Sequence, residues 1–165
     1  GDLVGIDVGL ILEGFYSDMA RSFHVGGEPP EKVRKLMDTT RNALQSGIAK
    51  MREGNKLGDV SHAVQLEAES KGFSVVRALV GHGIGRAMHE DPQVPNYGHA
   101  GTGIAIKNGM VFAIEPMVNA GKYPVRFLED GWTVITADGS LSCHFENTVA
   151  ATAEGPEILT DGDKA

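Results

Sequence analysis

The start of the chain has a pattern that predicts a β-hairpin. Residues 3–11 are apolar and largely β-branched, with one acidic residue, Asp7, at their centre. Glu13-Gly14 follows as a turn signal, and residues 15–25 have the composition of a returning strand. Because residues 3–11 are apolar on both faces, we expect this strand to need other elements packed against both of its faces.

Two helices are predicted next. Apolar residues recur at helical spacing between Pro30, which suits the first turn of a helix, and residue 53. A second helix is predicted over residues 59–72, with Asp59 as its N-cap and Gly72 at the C′ position. The buried face of the first helix is predicted to consist of Val33, Leu36, Met37, Thr40, Ala43, Leu44, Ile48 and Met51.

The remainder is predicted to be mostly strand. A strand at residues 74–80 is followed by a loop over residues 81–103 whose glycines, prolines and histidines indicate an ordered functional segment. Turn signals separate the later strands. These are predicted at residues 110–119, 123–128, 132–136 and 141–152. The pattern therefore predicts a mixed α/β (α+β) domain.

One internal similarity bears on the architecture. Asp7 and Asp18 stand on successive strands on either side of a turn, and Glu115 and Glu146 repeat this order with a longer insert. The repeat fits two halves of a pseudo-symmetric sheet, and it fits a chance likeness of two hairpins equally well.

Length and charge narrow the class of protein. The 165 residues are enough for one domain with a core, which we expect at residues 1–160 with a flexible tail at 161–165. The 22 acidic residues against 15 basic ones give a net charge of −7, which disfavours a nucleic-acid-binding face and fits either solubility or a bound cation. The single cysteine, Cys143, excludes an intramolecular disulfide and fits a reducing compartment.

The ends of the chain raise a further expectation. No apolar run approaches the ~20 residues that span a bilayer, and no signal peptide is visible. The chain opens inside a predicted core strand with no cap before it, so we expect further residues upstream of Gly1.

Two acidic residues stand where acids are rare. Asp7 and Glu115 each lie at the centre of an apolar strand, and an ionised carboxylate buried without a partner is strongly destabilising. For either residue alone, a basic partner or a solvated edge explains the position as well as a metal does. With Asp18 and Glu146 on neighbouring strands, a shared cation is the favoured hypothesis.

His82 is a candidate fifth ligand, because glycines on both sides leave its imidazole unobstructed. A satisfied core histidine is the alternative. One histidine with four carboxylates makes a hard, oxygen-rich donor set that suits Mn, Fe(II), Co or Zn. Five ligands exceed the need of one catalytic zinc, and carboxylates can bridge two ions ~3.5–4 Å apart.

The combined motifs resemble those of type I methionine aminopeptidases in order and spacing, over nearly the whole chain. They are Asp7 and Asp18, Gly81-His82-Gly83-Ile84-Gly85-Arg86, His89-Glu90-Asp91-Pro92, Ile114-Glu115-Pro116-Met117 and Phe145-Glu146-Asn147-Thr148. The resemblance implies the pita-bread fold, in which two helix-flanked halves of an antiparallel sheet are related by a pseudo-two-fold axis.

Roles follow from the resemblance by position. It implies that Asp7 ligates a second metal ion, that His82 and Glu115 ligate the first, and that Asp18 and Glu146 bridge the two.

The resemblance also implies roles beyond metal binding. Glu115 would carry a proton, and His89 would hydrogen-bond the substrate amide and help to stabilise the tetrahedral intermediate. Trp132 and Met88 would line the methionine pocket, although plain packing is the alternative for both.

The implied activity is co-translational removal of N-terminal methionine from nascent proteins, by amide hydrolysis with two divalent metal ions (Mn, Fe(II), Co or Zn). The implied partners are the N-terminal peptides of new chains close to the ribosome, with no direct contact to nucleic acid or membrane. We expect a cytoplasmic enzyme that is a monomer at full length.

Three alternatives stay open. A proline-specific enzyme of the same fold, a prolidase or aminopeptidase P, shares part of the pattern. A catalytically dead pita-bread binding protein is disfavoured because all five ligand positions are filled. An inactive fragment is the third, because methionine aminopeptidases carry an upstream segment with another active-site histidine.

Two further residues bear on the resemblance. Asn147 stands where relatives often have histidine. Nothing pairs Cys143 with a base, so a thiol nucleophile is rejected.

Overall fold

A computed structural model describes residues 1–161, so that residues 162–165, most of the predicted tail, lie outside it. Within this range the chain forms two α-helices, α1 (Glu31–Ile48) and α2 (Leu57–Ser70), and twelve β-strands. The strands are β1 (Leu3–Leu12), β2 (Phe15–His24), β3 (Ser74–Val75), β4 (Gly81–Gly83), β5 (Glu90–Val94), β6 (Val111–Ile114), β7 (Met117–Asn119), β8 (Val125–Phe127), β9 (Val134–Thr136), β10 (Ser142–His144), β11 (Asn147–Thr152) and β12 (Gly155–Ile158).

Strands β1 and β2 form the predicted hairpin. They pair antiparallel over their whole length, with Leu12 opposite Phe15. The two turn residues have positive φ angles, 51° at Glu13 and 81° at Gly14. A two-residue turn of this kind matches the right-handed twist of the flanking strands, which explains why the Glu-Gly signal places the turn correctly.

The two faces of β1 differ in chemistry. One face carries the small or acidic residues Gly5, Asp7 and Gly9, and the other carries a row of apolar side chains. Those side chains are exposed by 39% at Val4, 53% at Ile6, 49% at Val8 and 54% at Leu10. Residues 1–161 therefore do not supply the cover that β1 is expected to need on both sides, and the hairpin presents an apolar outer face.

The remaining strands form a five-stranded sheet, β12-β11-β6-β4-β5, a three-stranded sheet, β10-β7-β3, and a small hairpin, β8-β9. Helix α1 packs against α2 and against strands β6, β7 and β10. The apolar side chains between helices and sheets form the core. They are Leu36, Ala43, Leu44, Ile48, Met51, Leu57, Val60, Val64, Ala68, Val75, Val94, Ile106, Phe112, Ile114, Val118, Cys143, Phe145, Val149 and Ala151. Among residues 1–161, neither helix is long and apolar enough to cross a membrane.

The hairpin and the five-stranded sheet are joined by hydrogen bonds between β2 and the start of β11. The Asp18 N–H donates to the Thr148 hydroxyl, which in turn donates to the Asp18 carbonyl, each at 2.9 Å. The Glu146 N–H donates to the Ala20 carbonyl at 2.9 Å. These bonds place an acidic residue of the hairpin against an acidic residue of the larger sheet.

Several predicted boundaries are wrong. The strand predicted at 110–119 is divided at Glu115-Pro116 into β6 and β7, because proline cannot donate to a sheet ladder. The strand predicted at 141–152 is divided at Phe145-Glu146 into β10 and β11, where the Glu146 N–H donates to the Ala20 carbonyl of β2. The strand predicted at 74–80 covers two residues, and β12 was not predicted.

The start of the second helix also differs from the prediction. Helix α2 begins two residues before Asp59, which stands at the third helical position instead of the N-cap. Its carboxylate accepts the Lys56 N–H at 2.7 Å and the Gly101 N–H at 2.8 Å. Asp59 therefore still satisfies a helix-start N–H group, from one turn inside the helix.

Candidate metal centre

Three of the five predicted ligands meet in one buried cluster. Ligand atoms of Asp18, His82 and Glu146 all lie within 4.8 Å of one another. Asp18 comes from β2, His82 from β4, and Glu146 from the break before β11. A cluster of this composition and spacing can hold a metal ion.

His82 is held with one ring nitrogen free for a ligand. Its Nδ1 lies 2.9 Å from the Gly83 carbonyl, which can only accept, so Nδ1 carries the proton and Nε2 has a free lone pair. Glycine is required on both sides of His82. A Cβ at Gly81 would collide with the Ala113 carbonyl, and one at Gly83 with the Asp91 carbonyl. The flanking glycines thus allow neighbouring backbones to pack closely around the imidazole.

Glu115 stands at the edge of the cluster. Its Oε1 lies 3.6 Å from His82 Nε2, and its side chain is 15% exposed. It follows the last residue of β6, and the Asn96 side chain donates to its backbone carbonyl at 3.1 Å. This bond fixes the bend at which the strand turns the carboxylate towards His82.

Asp7 is exposed, so the expectation that it is buried is wrong. It does lie on the face of the hairpin that points to the cluster. In the β1–β2 register Asp7 pairs with Ala20 and Gly9 pairs with Asp18, which makes the two aspartates diagonal neighbours on one face. Burial, followed by repulsion from Asp7, raises the pKa of Asp18 to about 6.

The buried glutamates are electrostatically strained when no cation is present. Burial, then the charges of Asp7 and Asp18, raises the pKa of Glu115 to about 8. Burial, then repulsion from Glu115, Asp18 and Asp7, raises the pKa of Glu146 to about 9. Four acids held this close cannot all ionise without a compensating charge.

The side chains present therefore fit divalent metal. Glu146 Oε1 is buried and has no hydrogen-bond partner within residues 1–161, as expected of an oxygen whose partner is a metal ion. Burial lowers the pKa of His82, which keeps the imidazole in the neutral form that binds metal. Carboxylates and imidazole together suit a hard or intermediate divalent ion.

His89 borders the same cluster from solvent. Its ring centroid lies 4.4 Å from that of His82, at 65° between the ring planes. Both histidines line an open cleft of about 390 Å³. His89 does not belong to the three-residue ligand cluster, and its exposure places it where it can reach a molecule in the cleft.

The segment that carries His89 is anchored to the hairpin turn. The Tyr16 N–H donates to the Gly85 carbonyl at 2.8 Å, and the Arg86 guanidinium lies 4.3 Å from the centroid of the Phe15 ring. These contacts fix the direction of the loop between β4 and β5. The position of His89 is therefore coupled to the hairpin that supplies Asp7 and Asp18.

Met88 packs against Gly9. A Cβ at Gly9 would collide with Met88 Cε and lie 3.1 Å from Met88 Sδ and 3.7 Å from Asp18 Oδ1. The end of the Met88 side chain thus lies against β1 at Gly9, near Asp18, in space that a glycine leaves open.

Trp132 is not brought to the cluster by the described residues. It is 88% exposed in the turn between β8 and β9, where the Asp130 carboxylate accepts the N–H groups of Trp132 and Thr133 at 3.0 and 2.8 Å. Its assignment to a substrate pocket stays a prediction.

Two residues near the site were not predicted. His144 Nε2 lies 3.8 Å from Glu115 Oε2, and Gly9 lies against Met88. His144 could have been predicted from its position two residues before Glu146 in the strand expected at 141–152. Side chains two residues apart in a strand lie on the same face. Cys143 is buried, and burial raises the pKa of its thiol, which disfavours the reactive thiolate form.

Known proteins are similar to this chain in both sequence and fold. A methionine aminopeptidase of Clostridium perfringens (strain 13 / Type A) is 56% identical over 160 residues, 97% of this chain and 64% of the relative. The crystal structure of methionine aminopeptidase from Rickettsia prowazekii superposes with a TM-score of 0.94 at 48% identity, covering 97% of this chain and 64% of that one. The prolidase from Pyrococcus furiosus is more distant, with a TM-score of 0.73 at 25% identity over 98% and 42% of the two chains.

These likenesses confirm the resemblance and the pita-bread fold that the motifs predict. The chain spans 64% of the length of two curated relatives, both methionine aminopeptidases. The sequence model of metallopeptidase family M24 matches residues 1–153, and the chain is therefore a member of that family.

Proposed function

We propose that this chain carries the metal-binding catalytic region of an enzyme that removes N-terminal methionine from polypeptides. The observation that carries the proposal is the buried meeting of Asp18, His82 and Glu146, with Glu115 beside them. Support comes from the names of the relatives, which are methionine aminopeptidases at 46–56% identity.

We propose Asp7, Asp18, His82, Glu115 and Glu146 as the ligands of two divalent metal ions. Mn, Fe(II), Co and Zn all suit this donor set. When bound, such ions would lower the pKa of a shared water towards ~7 and polarise the carbonyl of the substrate.

The protein side chains would supply proton transfer and orientation. Glu115 is the proposed proton carrier, as the resemblance implies, because its partly exposed carboxylate stands at the edge of the ligand cluster. His89, exposed at the cleft, would donate a hydrogen bond to the carbonyl oxygen as negative charge develops there. Met88 and Trp132 are the proposed contacts of the methionine side chain.

The proposed substrates are the N-terminal peptides of nascent proteins. We place the activity in the cytoplasm near the ribosome, because chains that begin with methionine are made there. We propose that the full-length enzyme is a monomer.

The experiment that tests the activity compares two classes of peptide. With added Mn²⁺ or Co²⁺, the full-length protein is expected to release methionine from Met-Ala-type peptides and to leave X-Pro peptides intact. Glu146→Gln, which removes a proposed metal ligand, is the inactive control. Preferential cleavage of X-Pro peptides would move the assignment to the proline-specific enzymes, and metal binding without cleavage of either class would favour a binding protein.

The proposed role of Met88 predicts the effect of a change at Gly9. Gly9→Ala is expected to push the Met88 side chain aside, because its terminal methyl is the atom that the new Cβ meets. Because this end of Met88 is flexible, stability should change little, while the preference for methionine over leucine at the first position should fall about tenfold.

Gly5→Ala is the matched control for this substitution. It lies on the same face of β1, and its Cβ would meet only Ser22 Oγ, at 3.8 Å. Peptide selectivity measured as a ratio of kcat/KM values should change in Gly9→Ala alone. An unchanged ratio in both variants would show that Met88 does not contact the substrate side chain.

A further inference from the structure

The two carboxylate oxygens of Glu115 face two different histidines. Glu115 Oε1 lies 3.6 Å from His82 Nε2, on the side of the proposed metal. Glu115 Oε2 lies 3.8 Å from His144 Nε2. That nitrogen of His144 is buried and has no hydrogen-bond partner within residues 1–161, although a buried ring nitrogen is normally paired.

The position of His144 is fixed by its backbone. It ends β10 and pairs with Met117 of β7, two residues after Glu115. Its N–H donates to the Ser22 hydroxyl at 3.1 Å, and that hydroxyl donates to the His144 carbonyl at 2.8 Å. Because both sides of the strand are held, the imidazole is presented to Glu115 by a rigid support.

The gap between His144 and Glu115 is small. A separation of 3.8 Å exceeds the ordinary N–H···O distance of about 2.9–3.0 Å by less than 1 Å. A shift of less than 1 Å in the Glu115 carboxylate, which its broad terminal torsion permits, would bring the two atoms within hydrogen-bonding distance. Carboxylates that bind metal are usually hydrogen-bonded through a second group, which fixes their orientation.

We propose that His144 is a positioning residue that donates its Nε2–H to Glu115 Oε2 and so directs Glu115 Oε1 towards the metal. The inference rests on the proposed metal site and adds a residue that contacts neither metal nor substrate. It assigns His144 the Nε2-protonated tautomer, opposite to that of His82, whose Nδ1 is the protonated nitrogen.

The first test measures Mn²⁺ binding by titration calorimetry on the full chain. His144→Leu removes the donor and is expected to weaken Mn²⁺ binding by about 10–100-fold. His144→Gln restores an N–H donor at similar reach and is expected to stay within about threefold of the unchanged protein. Equal weakening in both variants, or weakening in neither, would overturn the proposal.

A matched control separates this effect from general loss of structure. His24 also has a buried Nε2 without a hydrogen-bond partner among the described residues, but it is not among the groups that contact Glu115. His24→Leu should leave Mn²⁺ affinity unchanged. An unchanged protein that binds no Mn²⁺ would overturn the proposed metal site itself, whereas normal binding with no response to His144→Leu would overturn the role of His144 alone.

The second test needs no substitution. Nitrogen NMR of the histidine rings, with diamagnetic Zn²⁺ in the site, reports which ring nitrogen carries the proton. The proposal requires protonated Nε2 at His144 and a metal-shifted Nε2 at His82. An Nδ1-protonated His144 would overturn it even if the His144→Leu variant fails to fold.

Discussion

Raising the pH from about 7 to 9 will destabilise the metal-free protein, and a divalent metal will reverse the loss. In the folded chain the pKa of Glu115 is about 8 and that of Glu146 about 9, against about 4.3 for an ordinary glutamate. Between these values the folded protein holds protons that the unfolded chain has released. Their contribution to stability is complete below the unfolded pKa and disappears as the pH rises through the folded pKa values.

The size and window of the effect follow from the same groups. Each carboxyl that is protonated only in the folded state costs about 1.4 kcal/mol of stability per pH unit. Over two pH units this is on the order of a few kcal/mol, a large part of the 5–15 kcal/mol typical of a domain. Burial lowers the pKa of His82 and His144. Their effect has the opposite sign but ends above the ordinary histidine pKa of about 6.5. The two glutamates therefore dominate the change, and the buried Cys143 thiol, whose pKa is raised, adds a loss of the same sign only above about pH 8.5.

Denaturant titrations at several pH values, with chelator or with Mn²⁺, measure this dependence. Mn²⁺ should stabilise the protein more at pH 8 than at pH 6, because its ligands bind as carboxylates. Glu146→Gln is the diagnostic variant. Without metal at pH 8 it should be more stable than the unchanged protein, and it should gain little from Mn²⁺. A metal-free protein whose stability is flat between pH 7 and 9 would contradict the electrostatic account of the cluster.

Replacing His89 with alanine will lower the turnover number by about 10²–10³ while leaving metal binding nearly unchanged. His89 stacks edge-on against His82, 4.4 Å between ring centroids, but it is exposed and stands outside the ligand cluster. The loss of one preorganised donor to a developing oxyanion typically has this size. Because the donor acts mainly in the transition state, kcat should fall more than KM rises.

Steady-state kinetics on a Met-Ala-type peptide and calorimetric titration with Mn²⁺ test both halves of this expectation. His99→Ala is the control, because His99 is an exposed histidine that does not line the cleft with His82 and His89. It should retain full activity. Loss of metal in His89→Ala would show that His89 is a ligand, and unchanged turnover would remove it from the mechanism.

The sequence alone was sufficient for features that depend on neighbouring residues. The β1–β2 hairpin was predicted with its turn, since Glu13-Gly14 can adopt the positive φ angles that a two-residue turn needs. The C′ glycine of α2, Gly72, was predicted for the same reason, with φ at 85°. The combined motifs also identified the family by resemblance, because together they are highly specific although each alone is weak, and the fold was what that resemblance implied.

Strand and helix ends were less predictable, because they depend on contacts from elsewhere in the chain. The residues on both sides of Glu115-Pro116 are apolar, so composition alone predicted one strand. The hydrogen-bonded strand β6 ends before Glu115, and β7 begins after Pro116. Asp59 has the character of an N-cap, yet Gly101, 42 residues away, also uses its carboxylate. Local propensity identifies such elements but does not set where they begin or end.

The site itself was decided by tertiary structure. Asp18 and Glu146 meet because the Thr148 hydroxyl bonds to the Asp18 backbone across 130 residues of chain, a contact that no local pattern encodes. The exposure of Asp7 and the approach of His144 to Glu115 depend in the same way on how the hairpin and the sheets pack together. The sequence determined which side chains are available to bind a cation. Packing decided how far apart they stand and how strongly burial and mutual repulsion shift their pKa values, since both depend on distance and on the exclusion of water.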